Sequence, residues 1–185
     1  MRTHRNVSRI SVFAAAVACL LAVTAVTAAP ASAAEDYLTF TNQNSRKCLD
    51  VQHMSQQAGA VLQQWDCWNG VNQQWLKEDP DGDGWFQLRN RHSGMCLEVF
   101  IAGVLNGAAV VQWDCWGAPH QQWQVAHIAA DGIWAVFGIR NKHSGKCLEV
   151  YGFSQDNGGA VVQWDCWGGH NQRWDERSAY PPIIR

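Results

Sequence analysis

The chain carries little charge and no concentration of positive charge. Asp, Glu, Lys and Arg together make up 16% of its residues, and no basic patch forms. That argues against nucleic acid and anionic membrane surfaces as partners. No segment combines helical periodicity with caps, so no helical layer is expected. The cysteines include no Cys-x-x-Cys pair, and the six histidines after residue 33 form no two-His metal motif. Neither zinc nor any cofactor is expected. Gly-x-Ser-x-Gly, a phosphate loop and a Cys-His nucleophile pair are also missing, which removes the commonest hydrolase and nucleotide chemistries.

Only one apolar run approaches membrane length, from about Ile10 to Ala29. It follows Arg2, Arg5 and Arg9 and ends at Ala31-Ser32-Ala33. A basic start, an apolar middle and a small-residue cleavage site read as a secretory signal peptide over residues 1–33. The folded domain is then expected over residues 34–185, as a secreted, extracellular protein with no membrane insertion. Three of the 14 basic residues leave with the leader, so 11 stand against 16 acidic ones, a net charge of −5. The remaining length suits one domain with one core.

What is present in abundance is repetition. Residues 62–75 read LQQWDCWNGVNQQW, residues 110–123 read VVQWDCWGAPHQQW and residues 161–174 read VVQWDCWGGHNQRW. The unit recurs after 48 and then 51 residues, at about 38–75, 86–123 and 137–174. The six cysteines after residue 33 allow fifteen pairings. The repeat selects Cys48–Cys67, Cys96–Cys115 and Cys147–Cys166, each 19 apart. Each such bond contributes on the order of 3 kcal/mol by restricting the unfolded chain.

Inside each unit the pattern is that of short strands. Leu38 to Asn42, Phe86 to Asn90 and Phe137 to Asn141 alternate apolar with polar, the period of a half-buried strand. A turn follows, then Cys-Leu-Asp/Glu-Val at 48–51, 96–99 and 147–150. A Gly- or Gln-rich loop leads to the Trp-Asp-Cys strand, and a fourth strand starts near Trp75, Trp123 and Trp174. Four strands cannot bury both faces alone, so three units must share a core. The expected fold is an all-β barrel of twelve strands with three-fold pseudosymmetry.

Gln73-Gln74-Trp75, Gln121-Gln122-Trp123 and Gln172-Arg173-Trp174 are three copies of Gln-x-Trp. Together with Cys-Leu-Asp/Glu-Val and Trp-Asp-Cys they resemble the ricin-type β-trefoil lectin family, from about Leu38 to Trp174. The resemblance implies a β-trefoil that binds carbohydrate. A sugar offers a less polar C–H face and a rim of hydroxyls, so its site needs an aromatic plane beside a carboxylate or amide. The family pattern falls on Asp50, Gln63, Trp65, Asn72 and Gln73 in the first unit. It falls on Glu98, Trp113, His120 and Gln121 in the second, and on Glu149, Trp164, Asn171 and Gln172 in the third. Val111 and Val162 replace Gln63. Gln112 and Gln163 stand one residue later, on the opposite face of the strand. The first unit is therefore the fullest match.

Trp75, Trp123 and Trp174 are expected in the core. Trp68, Trp116 and Trp167, directly after the second cysteine, are placed by alternation opposite it. There they either cap the barrel edge, widen each site or form a partner patch. Asp79-Pro80-Asp81-Gly82-Asp83-Gly84 opens like a calcium loop but has Asn90 where the bidentate Glu belongs, and reads as a hairpin turn. Each unit supplies one carboxylate, whereas glycoside hydrolysis needs two across one bond, so no enzyme is expected. The function expected is a multivalent lectin for galactose-containing or xylan-type glycans. The alternative is a protein-interaction or inhibitory trefoil that has lost sugar. Oligomeric state is not legible.

Overall fold

The computed structural model describes residues 36–131 and 134–179; the segment 1–33 read as a signal peptide lies outside them. Twelve strands run through the described residues, four to a unit. They are β1 (Tyr37–Asn42), β2 (Cys48–Val51), β3 (Leu62–Trp65) and β4 (Trp75–Glu78), then β5 (Gln87–Asn90), β6 (Cys96–Val99), β7 (Val110–Trp113) and β8 (Trp123–Asp131), then β9 (Trp134–Asn141), β10 (Cys147–Val150), β11 (Gly159–Trp164) and β12 (Trp174–Ser178). Short 3₁₀ turns are the helical elements among these residues. The three disulfides join Cys48–Cys67, Cys96–Cys115 and Cys147–Cys166.

The barrel closes between units. β4 pairs with β5, β8 with β9, and β12 returns to β1, all antiparallel. The hairpins β2–β3, β6–β7 and β10–β11 meet one another through short bridges between units. This is a β-trefoil. Alternation in Cys-Leu-Asp/Glu-Val explains the layering. Leu49, Leu97 and Leu148 with Val51, Val99 and Val150 enter the common core. Cysteine and carboxylate share the other face of the same strands.

Trp75 and Trp123 are fully buried, and Trp174 packs half-buried against the same cluster. A buried indole N–H needs an acceptor. Each finds one in the leucine carbonyl of its own unit: Trp75 Nε1 donates to Leu49 O at 3.4 Å, Trp123 to Leu97 O at 3.0 Å and Trp174 to Leu148 O at 3.1 Å.

The seams between units are polar and cyclic. Gln64, Gln112 and Gln163 have no exposed surface. Gln64 Nε2 donates to Ser154 O and Asp156 O of the third unit, at 2.9 and 3.0 Å. Gln112 donates to Ser55 O and Gln57 O of the first, at 2.8 and 3.0 Å. Gln163 donates to Gly103 O and Leu105 O of the second, at 2.8 and 3.1 Å. Ser45, Ser93 and Ser144 donate back to the three amide oxygens. The buried Asn42, Asn90 and Asn141 form a second ring, each Nδ2 reaching a carbonyl in the turn of the preceding unit: Asn171, Asn72 and His120.

An outer clamp exists at two seams only. Lys47 and Asn157 hold Asp66, and Lys146 and Asn106 hold Asp165. Those hydrogen bonds, lysine first, keep both carboxyls below the usual range. For Asp114, Met95 of its own unit stands in place of the lysine and Ala58 of the first unit in place of the asparagine, so Asp114 lacks the clamp. The Asp79 loop is the β4–β5 turn: its carboxylate accepts the Gly82 and Gly84 N–H groups at 2.9 and 3.0 Å.

Gln112→Ala would remove the two seam hydrogen bonds to Ser55 O and Gln57 O and the acceptor of the Ser93 hydroxyl. The expected loss is about 2–4 kcal/mol, read as a lower denaturant midpoint at unchanged slope. A loss under about 0.5 kcal/mol would show that the seam amide does not hold the units together.

Candidate functional site

Strand register assembles each site. In β2–β3 Cys48 lies opposite Trp65 and Asp50 opposite Gln63, so carboxylate, amide and indole emerge on one face. The disulfide at Cys48 ties that face to the loop after β3. The same register sets Glu98 opposite Val111 and Glu149 opposite Val162.

At the first site Asp50 is 3% exposed and receives three amide donors. Gln63 Nε2 donates to Oδ1 at 2.9 Å, while Asn72 Nδ2 and Gln73 Nε2 donate to Oδ2 at 2.9 and 3.0 Å. Burial raises the Asp50 carboxyl above its ordinary range, against the opposing pull of these bonds and of the nearby His53. Asp50, His53, Met54, Gln63, Trp65, Trp68 and Asn72 line a pocket of about 210 Å³. Asn72 Oδ1 is buried there without a hydrogen-bond partner among the described residues.

The second site has the same plan and a different surface. Gln121 Nε2 donates to Glu98 Oε2 at 2.7 Å, and His120 Nε2 lies 3.6 Å from the same oxygen. Glu98, Phe100, Ile101, Ala102, Trp113, Trp116 and His120 line a pocket of about 300 Å³. At the third site Gln172 Nε2 and Trp167 Nε1 both donate to Glu149 Oε2, at 2.8 and 3.2 Å. The added methylene of Glu lets this carboxylate meet the indole N–H. Asn171 turns to Val150 O instead.

Trp68, Trp116 and Trp167 correct the alternation argument. β3, β7 and β11 end at Trp65, Trp113 and Trp164, so the following residues are loop and period two no longer governs them. Trp68 and Trp116 line the pockets, and Trp167 lies over Glu149. Their settings differ by one methyl group. A Cβ built on Gly70 would come within 2.2 Å of the Trp68 ring, and one on Gly169 within 2.3 Å of the Trp167 ring. The second unit has Ala118 at that position. Trp116 cannot lie in the same seat. It stands 68% exposed, against 54% and 50% for the other two, and meets His120 edge-on at 5.6 Å.

Asp50, Gln63, Trp65 and Asn72 therefore share one pocket, and Glu98, Trp113 and His120 another. Trp164 packs against Tyr151, with Glu149 and Asn171 nearby on their strand and turn. Gln73, Gln121 and Gln172 are fully buried behind the carboxylates rather than on the pocket surface. Each donates to its carboxylate and to the backbone of Asp66, Asp114 or Asp165, and accepts the N–H of Trp68, Trp116 or Trp167. They position the acceptor and the loop tryptophan together. Sequence reasoning missed His53 and Met54, Phe100 to Ala102, and Tyr151 and Phe153. All lie two to four residues after the carboxylate, in the loop where the aligned copies differ most. Divergence inside a repeated frame was the available signal.

Three acceptor-and-indole sites around a pseudo-threefold barrel define a carbohydrate-binding type of trefoil. The chain belongs to the family described as ricin-type beta-trefoil lectin domain-like, which matches residues 26–113 and 119–180. ThreeFoil, a designed 3-fold symmetric protein, is 36% identical over 76% of this chain and 96% of its own, with a TM-score of 0.69. The exo-beta-1,3-galactanase 1,3Gal43A of Clostridium thermocellum is 30% identical over 77% of this chain, with a TM-score of 0.70; the matched part is 30% of that enzyme's chain. The C-half of an earthworm R-type lectin, in complex with GalNAc, shares the fold at 18% identity and a TM-score of 0.59, over 77% of this chain and 98% of its own.

Ala118→Gly is expected to open the glycine seat to Trp116. Its fluorescence quenching by acrylamide should fall toward that of Trp68, measured with the other exposed tryptophans replaced by phenylalanine. Unchanged quenching would show that the methyl does not set the indole.

Proposed function

We propose that this protein is a secreted, multivalent lectin for galactose-containing glycans, with the first site as its principal one. The observation that carries this reading is Asp50 with Gln63 and Asn72 beside the 40% exposed Trp65. A carboxylate held by amides accepts from adjacent hydroxyls, and the indole covers the C–H face of the ring. The named substrate of the galactanase and the GalNAc of the earthworm lectin support the choice of galactose configuration. Xylan-type chains are the second ligand class, because Trp68 and Trp116 extend the aromatic surface along the rim. Three disulfides and the N-terminal leader pattern support export. Several shallow sites on one rigid body gain avidity on a branched or repeating glycan. The carboxylates belong to separate units, which favours binding over hydrolysis. A protein-interaction role is favoured, among the described residues, by the exposed Ile101, Val104 and Leu105 of the second unit.

Asp50→Ala should lower retention on galactosyl resin at least about tenfold, with near-ultraviolet circular dichroism unchanged. Equal retention by a folded variant would sink the assignment of the first site.

The raised Asp50 carboxyl also predicts the effect of pH. Sugar binding needs the ionised acceptor, so retention should fall as pH drops, beginning above the ordinary carboxylate range. Stability moves the other way for this group: its protonated form is favoured in the fold, so its contribution is present at low pH and lost as pH rises through the raised value. Binding should therefore weaken in mild acid before the protein unfolds, as titrations of retention and circular dichroism side by side would show. Loss of both signals at the same pH would refute this.

A further inference from the structure

We propose that the second site selects a sugar unit bearing a methyl-terminated group where the first site meets a hydroxyl. The proposal rests on the lectin reading and adds to it that the two pockets take different ligands. The first pocket offers polar partners around its rim: His53, Gln63 and Asn72 flank Asp50. In the second, Val111 stands opposite Glu98 where Gln63 stands opposite Asp50, and Ile101 replaces His53. Besides the indole N–H groups, the hydrogen-bonding side chains that remain are Glu98 and His120. The other lining residues are Phe100, Ile101, Ala102, Trp113 and Trp116, with Phe100 and Trp113 rings 6.3 Å apart. A hydroxyl set against these walls loses water and gains no partner, which weakens binding about ten- to a hundredfold. A methyl group there gains about threefold from burial.

The backbone points the same way. Ile101 has φ 47°, a left-handed conformation that a β-branched residue adopts only under strain. Its counterpart in the third unit is Gly152, at φ 62°. Ile101 is also 79% exposed, so core packing does not account for it. Strain retained at a pocket rim is a mark of a binding role. Ala118 adds to the same surface by turning Trp116 out of the glycine seat and onto His120.

The test uses the oxidised chain with one site disabled at a time. Binding of galactose, 6-deoxygalactose and 6-O-methylgalactose is measured by indole N–H shifts in NMR titrations. In Asp50→Ala, read at the Trp113 and Trp116 indole signals of the second site rather than at Trp164 and Trp167 of the third, 6-deoxygalactose or 6-O-methylgalactose is expected to bind at least about threefold tighter than galactose; the two probes separate loss of the hydroxyl from gain of the methyl. In Glu98→Ala, galactose should bind at least as well as either analogue. Ile101→Gly should keep or raise Tm while the preference of the second site falls toward unity. No preference in Asp50→Ala, a preference for galactose there, or a preference untouched by Ile101→Gly would overturn the inference and leave the lectin reading standing. Binding of no sugar by any folded form would overturn both.

Discussion

Leaving a buried carboxamide unpaired is costly, and each unit of this trefoil contains one that it cannot satisfy itself. Gln64, Gln112 and Gln163 enter a dry seam and find their acceptors in a loop of the preceding unit. Leaving such a group bare costs about 1–3 kcal/mol. The dependence runs in a circle, from third to first, first to second and second to third. The asparagine ring at Asn42, Asn90 and Asn141 runs the same way. Hydrophobic burial supplies the gross driving force, but these rings make three similar units settle into one arrangement rather than a sliding pile.

That arrangement is what places the ligand sites. The residues that feed the core and those that face the pocket alternate on the same short strands. Leu49 and Val51 anchor to the barrel, while Cys48 and Asp50 are held outward between them. Behind each carboxylate, a buried glutamine connects acceptor, strand end and loop tryptophan. The acceptor is thus fixed by groups shared among the three copies, and the surroundings of the acceptor are left to the loops. The first copy keeps amides around Asp50, the second surrounds Glu98 with apolar groups, and the third engages Glu149 with Trp167.

Much of this was legible in the residues. Period-two alternation located the strands, equal spacing paired the cysteines, and one-residue offsets separated Gln63 from Gln112 and Gln163. Local periodicity carries such information because it is local. Three features escaped it. The position of Gln73 behind Asp50 depends on a 3₁₀ turn that carries it inward. Trp68 lies beyond the end of β3, where alternation stops. The rim residues His53, Ile101 and Phe153 sit in left-handed turns whose direction no short-range pattern specifies. Trp174, half-buried where its two counterparts are fully buried, borders a pocket with Phe40, Val125 and Phe137.

The glycine seat beneath Trp68 and Trp167 has a consequence for descent with change. A methyl group at residue 118 excludes an indole from that seat, and the residue lies in a loop outside the buried core cluster. A single codon change can thus redraw the face shown to a glycan at little risk to folding. Triplication multiplies the opportunity, since one copy can drift toward a new ligand while another retains the old.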